Sequence, residues 1–241
     1  MFNLKFQSLF ILFVSFIIPA NLNAEELIIK SFGHSQFLIK GEGKSVLINP
    51  FKAIGCASHL EETINLKKDL ILASSRLLDE GYNPNDDLMF VDPGTYEFKN
   101  IYLNGISVPH DRLNGRRYGM ATVWTWNQSD FKIVHMGGAA GPISFEDQIL
   151  INRPDILFIS IGGGIKSYTG KEASEIIEII NPNIIVPVHY LKNKNKFDDC
   201  DFSDEKQFLD SISGYKIKYV GNQSILNSED EKEKIIYFFK K

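Results

Sequence analysis

The stretch Asp69–Gly81 reads DLILASSRLLDEG, an apolar strand that runs straight into a polar, irregular turn. Loops at strand ends are where a rigid scaffold presents reactive groups, so chemistry is expected at this turn. Four segments elsewhere belong with it: Gly33–Ile39 (GHSQFLI), Pro93–Phe98 (PGTYEF), His135–Gly138 (HMGG) and Pro187–Tyr190 (PVHY). The rest of the chain makes sense around what this loop should hold.

With 241 residues and 44% hydrophobic content, the chain can bury one sizeable core and is read as one globular domain. The net charge of -4 comes from interspersed acids and bases without a basic stripe, so neither nucleic acid nor an electrostatic membrane anchor is an expected partner. Repeats at solenoid or propeller periods and low-complexity tracts are absent. The N-terminus carries Lys5, an apolar run from Leu9 to Ile18, the helix breaker Pro19 and a polar stretch ending at Ala24, which is signal-peptide anatomy. That run is shorter than the ~20 residues needed to span a bilayer. The expectation is cleavage after Ala24, a domain over 25–241, and an exported protein, periplasmic or secreted, with no stable membrane insertion.

After the leader, LIIKSFGHSQFLIKGEGKSVLINPF predicts short strands turning at Gly41–Lys44, read as an edge hairpin. His34, alone on a strand, is expected to satisfy neighbours by hydrogen bonding. The segment from Lys52 to Asp69 is polar and helix-permissive. Its Cys56 has Cys200 as a potential disulfide partner and His59 close by in sequence, although that spacing matches no nucleophile signature. Beyond Gly81 a meander of short strands is predicted, then a short helix over 144–152 and a buried strand in PDILFIS. A helix follows from Gly170 to Ile180, capped by Thr169 with Glu172 and ended at Asn181-Pro182. NIIVPV is another buried strand that delivers His189 at its end. A helix at 205–212 and strands at 215–220 and 235–239 close the chain.

Taken together, these segments resemble the metallo-β-lactamase superfamily, in its ascorbate-6-phosphate lactonase-like branch. The resemblance covers nearly all of Glu26 to Lys192 and implies an α+β fold, the αββα four-layer sandwich. It sets the loop against the family's H-x-H-x-D-H motif, with Ser75, Leu77 and Glu80 at the three histidine positions and Asp79 at the aspartate. Asn49-Pro50 stands where Asp-Pro is usual, Thr95 where glutamate is common, and Gly138 where the family's His-x-Gly-Asp places the aspartate that bridges two metals. His110 and His189 fall on retained ligand positions. Of seven ligand positions implied by the resemblance, four hold different residues, and Asp79, His110 and His189 remain. Serine is a poor zinc ligand and leucine is none, because zinc wants nitrogen, sulfur or oxygen donors at ~2.0 to 2.3 Å.

Two function classes follow. One is a metal-free, non-catalytic descendant that binds a small-molecule ligand or a partner, with no cofactor. The other is a hydrolase using one divalent metal held by Asp79, Glu80 and His189, with His110 as base or fourth ligand; such an oxygen-rich set favours harder cations than zinc. A third arrangement, Ser74 or Ser75 with His110 and Asp111, lacks a nucleophile elbow. Loss of the metals also predicts that the loop is fixed by packing instead, with Leu77 buried in the vacated space and Asp79 turned to Arg76, Arg117 or His189.

Overall fold

The computed structural model describes residues 26–63, 65–191, 200–227 and 233–240. The expected leader, 1–24, lies outside the described residues. Strands β1 (Leu27–Gly33), β2 (Gln36–Gly41), β3 (Lys44–Ile48), β4 (Leu70–Leu72), β5 (Met89–Phe90) and β13 (Gln223–Leu226) form one sheet in the order β13-β1-β2-β3-β4-β5. The other sheet contains β6 (Gly94–Phe98), β7 (Ile101–Pro109), β8 (Met120–Gln128), β9 (Phe131–His135), β10 (Ile156–Ser160), β11 (Ile184–Val188), β12 (Lys216–Val220) and β14 (Ile235–Phe239). Its order is β12-β14-β11-β10-β9-β8-β7-β6.

Alternation decides which face meets which. In β1 the pattern Leu27, Ile29, Ser31 is buried and the intervening residues only half so, which turns Leu27 and Ile29 toward the second sheet. They pack there with Phe37, Ile39, Ile48 and Leu72 against Trp124, Trp126, Ile133 and Phe158, making the core between the sheets. β10 and β11 are buried along their whole length and pair in parallel, as continuous apolar strands covered on both faces do. Their outer face carries Leu157, Ile159 and Ile185, covered by Ala173 and Ile177 of α2 (Gly170–Ile180) and Phe208 of α3 (Lys206–Ser211).

Local chemistry sets the helix ends, at α2 as anticipated. Ser144 with Asp147 caps α1 (Phe145–Ile151), and Thr169 with Glu172 caps α2, both as capping boxes. α2 ends at Asn181 in the left-handed region, with Pro182 next, which cannot continue the helical hydrogen bonding.

Two expectations need correction. The β2–β3 hairpin is not at an edge: β1 and the late strand β13 extend the sheet on one side, and β4 and β5 on the other. Its flanking strands come from far along the chain, which local pattern does not announce. The helix-permissive segment after Lys52 is irregular apart from a short 3₁₀ turn at Gly55–Ala57. It covers the outer side of the first sheet through Leu66, which packs on Leu38, Leu47 and Ile71, and through Thr63, which bonds the Gln36 amide. Cys56 is disulfide-bonded to Cys200, so no free thiol exists for nucleophilic chemistry.

Candidate functional site

The predicted turn, the HMGG segment and the two histidine-bearing strand ends meet at one end of the sandwich. Ser74 is held in place first. Its N–H donates to Asn49 Oδ1 at 2.8 Å, Asn49 Nδ2 donates to its Oγ at 2.8 Å, and its carbonyl accepts from Thr122 N at 2.7 Å. The Ser74 hydroxyl then has its proton free for Glu80 Oε2, 2.9 Å away, while it accepts from Gly138 N at 3.3 Å. Ser75 Oγ donates to the same carboxylate at 3.0 Å and accepts from Leu77 N at 3.2 Å. Asn49, in place of a charged aspartate, thus ties the end of β3 to the loop through neutral bonds.

Glu80 is the centre of the arrangement. It is buried, and besides the two serines it faces His110 Nε2 at 3.3 Å, within ion-pair reach though without the alignment of a hydrogen bond. Burial alone would raise the Glu80 carboxyl, but the charge of His110 and further positive charge around it outweigh that and hold it low. Gly138 makes room for this carboxylate. A Cβ at that position would lie 2.2 Å from His110 Nε2 and 2.4 Å from Glu80 Oε1. The side chain of Glu80 therefore fills the space that an aspartate at Gly138 would need, and the two departures from the family motif compensate each other sterically. Gly137 is equally tight: with φ of 52° it sits where a Cβ would meet Ser74 at 2.2 Å.

Asp79 points the other way and pairs with the Lys166 ammonium. Burial pulls that ammonium down, but the charge and hydrogen bond of Asp79, together with Glu80, leave its pKa raised. This corrects the expectation that Asp79 would turn to Arg76, Arg117 or His189. Arg76 instead binds Asp92 at 2.8 Å. Lys166 lies in the glycine-rich loop after β10, and sequence reading missed it; a single cation in such a loop at the end of a central strand was the available signal.

Leu77 is also corrected. It is half-buried and lines the cleft wall, because Glu80 already occupies the interior space. His34, expected to hydrogen-bond through its side chain, does so through its backbone: its carbonyl accepts from His189 N at 3.2 Å, and its Nε2 has no protein partner. The His34 and His189 rings lie 4.3 Å apart, and Phe202 covers both at 5.8 and 5.5 Å. Both histidines, like Asn49, have positive φ, a region where histidine and asparagine are enriched and where bound or catalytic residues often sit. Asp111 turns its carboxylate to the amides of Leu113, Gly115, Arg117 and Tyr118, and the serine hydroxyls serve Glu80, so no serine–histidine–aspartate relay is assembled.

Three histidines are kept neutral by burial. His34 and His135 are pushed down to about 4 and His189 well below its usual value, in each case chiefly by desolvation. His135 Nδ1 accepts the Gly137 amide proton at 3.0 Å, which also requires that nitrogen to be unprotonated. A histidine whose folded pKa is depressed stabilises fully above its unfolded pKa and progressively less as pH falls toward the folded value. For His135 the window runs from 6.5 down to about 4, a loss of roughly 3 kcal/mol. Urea midpoints are therefore expected to fall steeply between these pH values, and a His135→Gln variant should show a shallower fall. An unchanged slope in that variant would contradict the assignment.

Two facing mixed sheets with helices outside and a histidine-lined cleft at their strand ends define the αββα class of metal-dependent hydrolase scaffolds. The family model described as Beta-lactamase superfamily domain matches residues 28–189, and the chain belongs to that superfamily. A UPF0173 protein of Pyrococcus abyssi is 28% identical over 184 residues, spanning 66% of this chain and 81% of its own. A candidate Zn-dependent hydrolase of the metallo-β-lactamase superfamily from Thermotoga maritima superposes with a TM-score of 0.68 at 23% identity, over 89% of this chain and all of that one (100%). The isothiocyanate hydrolase from Delia radicum gut bacteria gives 0.60 at 14% identity, over 87% and 95% of the two chains. At these identities the two structures speak for the fold.

The residues present do not fit the family's two-metal centre. Ser75, Leu77 and Gly138 offer no ligand of the required kind, Glu80 is engaged by two hydroxyls and His110, and Asp79 is paired with an ammonium that would repel a second cation. Among the described residues, no three His, Cys, Asp or Glu side chains are grouped so as to hold a metal ion.

Proposed function

We propose that this protein is an exported, non-catalytic member of the superfamily whose former metal centre is rebuilt as a metal-free polar core beneath a ligand-binding cleft. The observation that carries the reading is the replacement of metal contacts by protein ones: Lys166 pairs with Asp79, and buried Glu80 takes the Ser74 and Ser75 hydroxyls and faces His110 at 3.3 Å. Export is supported by the signal-like leader and by the Cys56–Cys200 disulfide, since such bonds persist in oxidising compartments. The periplasm or the exterior is the proposed location.

The second reading, a hydrolase with one metal held by Asp79, Glu80 and His189 with His110 as base or fourth ligand, draws support from His110 Nδ1 and both His189 nitrogens, which have no protein hydrogen-bond partner. The two readings part in an assay of lactone, phosphodiester and β-lactam substrates with added zinc or manganese. No turnover above background is expected. Metal-dependent turnover that disappears in His189→Ala, with folding intact, would favour the hydrolase.

A further inference from the structure

Above the rebuilt core opens a cavity of about 570 Å³, a size typical of small-molecule sites. Its rim carries Ile54, Leu78 and Ile165, all at least 40% exposed although large and apolar. Aromatic walls come from Tyr118 and Phe202, and half-buried His34 lines the cavity with an Nε2 that has no protein partner.

Four charged side chains line the cavity, two acidic and two basic. Asp79 and Lys166 neutralise each other. Asp201 accepts the Ile165 amide at 3.0 Å and faces the field of Arg112, whose own pair is Glu172. Arg117 is exposed, stacked on the Tyr118 ring at 5.2 Å and, among the described residues, in no ion pair, so its guanidinium is open to an incoming anion. A guanidinium backed by an aromatic face is suited to a planar carboxylate.

We propose that the cleft binds a small organic monocarboxylate, its apolar or aromatic body against Ile54, Leu78 and Ile165 and its carboxylate on Arg117. The inference rests on the ligand-binding, metal-free reading above, and the tests separate the two. Calorimetric titration of the full mature chain uses phenylbutanoate as probe, with phenylbutanamide and phenylbutylamine as neutral and cationic counterparts of the same body. The carboxylate should bind at least about tenfold more tightly than the amide, with the amine weakest, and Arg117→Gln should abolish that preference. Arg116→Gln, which removes a neighbouring exposed cation that does not line the cavity, should leave it intact. Equal binding of acid and amide, no binding of the acid, or an acid preference that survives Arg117→Gln would overturn the carboxylate assignment. The metal-free reading has its own arm: the acid should bind equally with EDTA or with added zinc, and binding that appears only with zinc would overturn both.

Discussion

Gly138→Asp, the single change that would bring back the family's bridging carboxylate, is expected to cost about 4 kcal/mol or more of stability, among the largest effects a point substitution produces. The added Cβ alone would stand 2.2 Å from His110 Nε2 and 2.4 Å from Glu80 Oε1, between two buried groups. The new carboxylate would also bring a second negative charge against Glu80, with only His110 to share. Glu80→His should cost several kcal/mol on its own, because it deletes the buried acceptor of Ser74 and Ser75 and the carboxylate that faces His110. Combined, the two changes restore complementary volume and charge, so the double variant should be clearly more stable than the sum of the singles predicts. Urea denaturation of the four proteins gives the coupling directly; simple additivity would mean that Glu80 does not stand in for the lost aspartate. The cycle also refines what a zinc-binding revertant needs. Ser75→His, Leu77→His, Glu80→His and Gly138→Asp together still leave Lys166 on Asp79, so Lys166→Ala must accompany them.

Removing the disulfide with Cys56→Ser and Cys200→Ser should cost about 2 to 5 kcal/mol, the usual range for a native bridge, here one that closes 144 residues of separation. A local consequence distinguishes this bridge from a generic staple. Phe202 follows Cys200 by two residues and covers His34 and His189, and Cys56 itself lines the cleft. Loss of the bridge should therefore admit solvent to both imidazoles and bring their pKa values back up toward the ordinary range, readable as histidine proton shifts in NMR titrations. Histidines that keep their depressed values in the serine variant would show that Phe202 stays seated without the bridge.

Much of this was legible in the chain. Strand and helix limits followed from signals within a few residues: continuous apolar runs for β10 and β11, Thr169 with Glu172 opening α2, Asn181-Pro182 closing it. The segments around Glu80, His110 and Gly138, singled out together in the sequence, meet at one end of the sandwich. What could not be read were choices between partners far apart in sequence. Asp79 and Lys166 are 87 residues apart, and nothing local ranks that lysine above Arg76 or Arg117. Likewise, an apolar Leu77 is, on local pattern, the natural filler of a vacated metal position. Glu80 won because Gly138 offers volume beside His110, and Ser74 and Ser75 both donate to its Oε2. The hairpin's interior place depended on β13, nearly two hundred residues downstream of β1.

The pairs Asp79–Lys166 and Glu80–His110 stand where cation coordination would be. The most direct test is the metal content of the mature protein, purified without chelators or affinity metals and measured by inductively coupled plasma mass spectrometry after exposure to zinc and manganese and removal of free ions. The account predicts a metal content indistinguishable from a buffer blank. A stoichiometric transition metal that leaves on His189→Ala would contradict it.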